Sequence, residues 1–143
     1  MAKTFRLELR ARLDNLAEIR SFVGETAREL GLDGPAIEDV KVCVDEAATN
    51  IVKHGYGSKE GDLSVELYRE DGEVVVRIVD RAPPFDPESA TEPELGLPLH
   101  DRPVGGMGVY LMKTLTDGLS HSTSPGGGNE LVLRKRIAAG GNS

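Results

Sequence analysis

The sequence predicts an α+β fold: a two-layer sandwich with a mixed, mostly antiparallel sheet of about five strands and three helices on one face. Three observations predict it. Strictly alternating apolar segments mark the strands, and apolar stripes at 3.6-residue spacing mark the helices. Both occur in the order strand, helix, helix, strand, strand, then helix, strand, strand, an arrangement that packs helices against one side of a sheet.

Each element has its own signature. Residues 4–11 alternate Phe5, Leu7 and Leu9 against Arg6, Glu8 and Arg10, a half-buried strand. Asp14 offers a helix N-cap; Leu16, Ile19, Phe22, Val23, Ala27 and Leu30 recur at helical spacing, and Gly31 ends the run. Asp33-Gly34-Pro35 opens a second helix, with proline in the first turn where its missing N–H costs nothing. Its stripe is Ile37, Val40, Val44, Ala47, Ala48 and Ile51. Leu63, Val65 and Leu67 then alternate with polar residues, and 74–79 is rich in β-branched residues. Asp71-Gly72 between these two segments is a hairpin signal.

Residues 81–104 carry Pro83, Pro84, Pro87, Pro93, Pro98 and Pro103 and almost no periodicity. A loop this long inside a compact domain points to a functional lid, here over about 82–104. Gly105-Gly106-Met107-Gly108 opens a third helix with Val109, Leu111, Met112 and Leu115, closed by Asp117-Gly118. Residues 119–124 and 131–137 read as the last two strands, joined by the turn Pro125-Gly126-Gly127-Gly128-Asn129. The whole chain, 1–143, reads as one domain with its core at about 4–137.

Bulk properties narrow the function. The net charge of −7 argues against general attraction to nucleic acid or to an anionic membrane. No apolar run approaches the roughly 20 residues that span a bilayer. The alternating, acid-bearing start reads as a strand rather than a secretory signal. The single cysteine, Cys43, fits a reducing compartment, and a cytoplasmic location is expected. Cys43 reads as a small packed residue, and His54, His100 and His121 lack metal-ligand spacing with it.

Three groups carry candidate chemistry. Glu46 and Asn50 lie one turn apart on a helix face directed away from the apolar stripe. Taken alone they read as a solvated polar face. A carboxylate there can also take a proton from an attacking hydroxyl, and an amide oxygen one turn away can ligate Mg²⁺. Asp80 ends a strand, where it is either an ordinary turn residue or an acceptor for the exocyclic amine of adenine. Gly105, Gly106 and Gly108, with Met107, start a helix after a long loop, so backbone N–H groups there can face an anion. The pattern lacks the Gly-Lys-Ser/Thr of a P-loop, and it follows a loop rather than the strand of a dinucleotide fingerprint.

Together these groups resemble the GHKL ATPases, the superfamily that includes gyrase and the histidine kinases. Nearer still are the small anti-sigma-factor serine kinases of bacterial partner-switching systems. Val44-Asp45-Glu46-Ala47-Ala48-Thr49-Asn50-Ile51-Val52-Lys53-His54-Gly55-Tyr56 is similar to their first ATP box. Asp80-Arg81-Ala82-Pro83-Pro84-Phe85-Asp86-Pro87 resembles the second, and Gly105-Gly106-Met107-Gly108-Val109-Tyr110-Leu111 the third. The resemblance spans about residues 4–137 and implies the GHKL fold, with ATP and Mg²⁺ as cofactors. It implies Glu46 as general base, Asn50 as Mg²⁺ ligand, Asp80 as adenine reader, and Gly105, Gly106, Met107 and Gly108 at the lid and phosphates. It also implies a kinase acting on a serine of a STAS-domain antagonist, a sigma factor as second partner, and a homodimer. A nucleotide-binding partner-switching module without kinase activity is the alternative. A detached histidine-kinase ATPase domain is a third reading, disfavoured because no helix with a phosphoacceptor histidine precedes the strand. Two departures stand out: Ala82 replaces a usual glycine, and residues 129–133 lack the late-strand threonine that often backs the adenine-reading acid.

Overall fold

The computed structural model describes residues 3–55, 61–82, 106–123 and 128–138. Strand β1 (Thr4–Arg10) leads through a 3₁₀ turn (Leu13–Asn15) into α1 (Leu16–Glu29), followed by α2 (Gly34–Asn50) and a π-helical turn (Ile51–Gly55). The hairpin β2 (Asp62–Glu70) and β3 (Glu73–Asp80) comes next, then α3 (Gly106–Leu115) and the pair β4 (Gly118–Thr123) and β5 (Asn129–Arg136). The expected lid at 82–104 lies outside the described residues except for Ala82.

Local chemistry accounts for most boundaries. Asp33 caps α2, its Oδ1 accepting the Ala36 N–H at 2.9 Å, and Pro35 sits in the first turn. Asp71 and Gly72 both take positive φ (49° and 79°), as the two-residue β2–β3 turn requires. Asp14 does not cap α1 as expected. It lies inside the 3₁₀ turn and accepts from Arg12 Nε at 3.3 Å, while Asn15, the capping position, makes no side-chain capping bond. The tightened turn enters the helix instead, and Asn15 Nδ2 donates back to the Arg10 carbonyl at 2.8 Å.

The strand order is β1-β2-β3-β5-β4, and all four ladders are antiparallel, so the sheet is more uniform than the mixed one expected. The cause is the position of β5. It inserts between β3 and β4, so these two strands, which run in the same direction and are joined through α3, are not neighbours.

Burial follows the two periodicities. Val23, Val40, Val44 and Ala48 of the helices, and Val65, Leu67, Val74 and Val76 of the sheet, have no exposed surface. Each fully buried aliphatic side chain contributes ~1.5–3 kcal/mol. The opposite sheet face is mostly polar, although Val75 there is also fully buried, and Arg77 on it is held by Glu66 at 2.6 Å and by Glu130 at 2.6 Å. Lys135 departs from this division. It belongs to the helix-facing side of β5, where Nζ donates to Asp39 Oδ2 of α2 at 3.0 Å and to the Leu115 carbonyl of α3 at 2.6 Å. A cation at a helix C-terminus is favourable both as a hydrogen-bond donor and against the helix dipole. One side chain thus ties β5, α2 and α3 together.

Lys135→Met keeps the stem and removes the charge. It is expected to lower the unfolding free energy by about 1.5–3 kcal/mol, the range for hydrogen bonds to a charged group. A urea midpoint equal to that of the parent chain, at equal m-value, would refute the role given to Lys135.

Candidate functional site

The C-terminal end of β3 carries a buried carboxylate. Asp80 is only 5% exposed. Its Oδ1 accepts the Ala82 N–H at 2.8 Å and the Asn129 amide Nδ2 at 2.9 Å. Its Oδ2 has no hydrogen-bond partner among the described residues. Burial pushes the Asp80 carboxyl above its ordinary range, while the bonds from Asn129 and Ala82 and the nearby His121 pull the other way.

Backbone geometry presses this knot together. Gly128 N–H donates to the Ala82 carbonyl at 3.0 Å, and its φ of +103° is left-handed. A Cβ on Gly128 would stand 2.8 Å from the Asp80 carbonyl oxygen, so only glycine fits. Ala82 is 1% exposed, and its N–H and C=O are both engaged. The departure from glycine at that position therefore leaves the backbone contacts in place.

Glu46 and Asn50 do not form a solvated face. Both are half-buried, on a flank of α2 that runs Asp39, Cys43, Glu46, Asn50 at spacings of four, three and four. Lys135 marks what this flank meets, since it bonds Asp39 and the last carbonyl of α3, and α2 packs against α3. Cys43 is fully buried there, and its thiol is pushed up to about 11 by burial, by Asp39 and by Glu46, with Lys135 opposing. It is a packed, unreactive residue, as expected. Neither Glu46 nor Asn50 makes a side-chain hydrogen bond with another described residue, so both are available to a ligand or to water. Directly after Asn50 the helix widens into the π turn, a distortion frequent near functional sites.

The glycine motif starts the third wall. Gly106, Met107 and Gly108 form the first turn of α3, whose leading N–H groups lack intrahelical acceptors. Gly105 lies outside the described residues. From Leu115, held at Lys135, nine residues of helix lead back to Gly106, about 14 Å. From Asp39 to Asn50 along α2 is about 17 Å. The two packed helices are thus comparable in reach from a shared anchor. No direct hydrogen bond joins Asp80 to Glu46 or Asn50 among the described residues.

Sequence reasoning missed Asn129, Gly128 and His121. In the sequence Asn129 reads as a turn residue, and residues 129–133 lack the threonine that often backs the acid at the position of Asp80. The amide of Asn129 performs that role from the first residue of β5. The available signal was the Gly-Asn pair entering a strand after a glycine-rich turn.

A family model for the histidine kinase-like ATPase domain matches residues 9–135. The chain belongs to this family. The ATPase-family domain is 33% identical over 116 residues to serine-protein kinase RsbW of Listeria innocua serovar 6a, covering 78% of this chain and 74% of that protein. It is 31% identical over 133 residues to the anti-sigma F factor of Clostridium acetobutylicum, covering 92% of each. With these relatives it falls in the serine-kinase and anti-sigma branch of the family. Its fold is similar to that of the RsbU and RsbW domains of Rv1364c from Mycobacterium tuberculosis, at a TM-score of 0.64 and 20% identity. That match covers 94% of this chain and 32% of the longer one.

The raised carboxyl of Asp80 gives a stability prediction for this ATPase-family domain. A pKa higher in the folded than in the unfolded chain means that the folded state holds the proton more tightly. Its stabilising contribution is complete below the unfolded value and lost as pH rises through the folded one. At neutral pH the ionised group is thus a net cost, and Asp80→Asn is expected to raise the thermal midpoint at pH 7. The advantage should shrink in acid. A midpoint below that of the parent at pH 7 would contradict this account.

Proposed function

We propose that the domain, taken as the single unit 1–143, is an ATP-dependent protein-serine/threonine kinase and anti-sigma factor. Its protein substrate is a STAS-domain antagonist, and its second partner is a sigma factor. It works in the cytoplasm as a homodimer, without direct contact to nucleic acid or membrane. The observation that carries the reading is the pair Glu46 and Asn50: half-buried, without a protein hydrogen-bond partner among the described residues, on the flank of α2 that meets α3.

The residues fit Mg-ATP. Asp80 leaves one acceptor oxygen for an exocyclic amine. Asn50 offers a free amide oxygen as the Mg²⁺ ligand, with the metal supplying charge neutralisation at the phosphates. The N–H groups of Gly105, Gly106, Met107 and Gly108 would hold the phosphates, with the segment 82–104 serving as the lid. Glu46 accepts the proton of the incoming serine hydroxyl. As that oxygen bonds to the γ-phosphorus, the bond to the ADP oxygen breaks. Ground for the alternative, a binding module without chemistry, is reduced by Asn129 and by the retained backbone bonds of Ala82. Labelled ATP mixed with the chain and a STAS-domain protein separates the two: complex formation without label transfer favours the module.

Glu46→Ala should bind ATP within a few-fold of the parent yet lose about 10²–10⁴-fold in phosphotransfer. Transfer at the parent rate would remove Glu46 from the mechanism. Asn50→Ala should lose Mg-ATP binding in calorimetry, and unchanged affinity would rule out the metal role of Asn50.

A further inference from the structure

His121 has no part in the chemistry assigned so far, yet it meets Asn129, the residue that backs Asp80, at the buried end of the adenine-reading acid. Both belong to the helix-facing side of the sheet, since His121 is opposite Leu131 and Asn129 opposite both Asp80 and Thr123. Asn129 Nδ2 lies 2.9 Å from Asp80 Oδ1 and 3.4 Å from the Ala82 carbonyl, both acceptors. Its Oδ1, which only accepts, lies 3.3 Å from His121 Nε2. The amide can satisfy these neighbours in one orientation, and that orientation requires a hydrogen on His121 Nε2.

We propose that His121 and Asn129 are positioning residues for nucleobase selection, forming a one-way hydrogen-bond relay that fixes Asp80 with its Oδ2 available to an amine and not to a carbonyl. The inference rests on the ATP reading above. His121 donates to Asn129, and Asn129 donates to Asp80 Oδ1. With Ala82 N–H as the second donor, Oδ1 is occupied and the carboxylate cannot rotate without breaking two bonds. The relay leaves Oδ2 as an acceptor only. An acceptor there favours the exocyclic amine of adenine and disfavours the carbonyl oxygen that guanine presents at the equivalent position. A site built on a specific hydrogen bond discriminates in this way because the wrong base leaves the buried group unpaired.

The test measures dissociation constants for Mg-ATP and Mg-GTP on the full chain, with thermal midpoints and the maximal phosphotransfer rate at saturating ATP. His121→Phe and Asn129→Leu keep volume and remove the relay. Each is expected to cut the ATP-over-GTP preference about tenfold, the effect of one lost hydrogen bond of ~1.4 kcal/mol. His121→Gln retains an N–H donor and is expected to keep the preference. If His121→Phe does not fold, Asn129→Asp serves in its place: it sets an acceptor against Asp80 and should lose the preference more severely. An unchanged preference in the relay variants overturns the proposal while leaving ATP binding intact. A loss in His121→Gln equal to that in His121→Phe overturns it too. Failure of the parent chain to bind ATP at all removes the ATP reading, and the relay with it.

Discussion

The register between β3 and β5 is the constraint from which the rest of the structure follows. It sets Asp80 opposite Asn129 at one end of the pair and Val74 opposite Lys135 at the other. A slip of one residue would turn Asn129 and Lys135 to the outer face together, because side chains alternate with a period of two. Asp80 would then be buried without its amide donor, and the last carbonyl of α3 would lose its cation. The apolar pairs between these ends, Val76 with Leu133 and Ile78 with Leu131, hold the register because only one alignment keeps them under the helices.

The two ends serve different purposes. At the Lys135 end, partly buried polar groups bond one another and so join the sheet to both helices. At the Asp80 end one carboxylate oxygen is left without a hydrogen-bond partner among the described residues; on α2 the side chains of Glu46 and Asn50 likewise make no hydrogen bond with another described residue. α3 carries the glycine motif at its first turn and is anchored at its last, so the position of the motif depends on a contact made a full helix length away.

Most of the fold was legible because the local signals agree with the tertiary structure. Alternation located β1, β2 and β5, and a run of β-branched residues β3, to within one or two residues; Asp33 and Pro35 marked the start of α2, and Asp71-Gly72 the hairpin. The entry to α1 was misjudged because capping preference is weak against a 3₁₀ turn that satisfies the same backbone groups. Burial of Glu46 and Asn50 was also underestimated. The helix wheel correctly set them apart from the main stripe, but a wheel carries no information about a second helix packing on that flank.

Composition, periodicity and motif order by themselves determined the α+β class, the order of elements, and the residues offered for chemistry, Glu46, Asn50, Asp80 and the glycines from Gly105 to Gly108. These depend on neighbours within a few positions along the chain, where backbone preferences and helix or strand periods act. What only the tertiary structure decided was pairing across the chain: Asn129 under Asp80, Lys135 between Asp39 and Leu115, Gly128 against the Asp80 carbonyl, and β5 between β3 and β4. The side-chain contacts among these join residues 20 to 96 positions apart, and their geometry comes from strand register and helix packing, which no local pattern encodes.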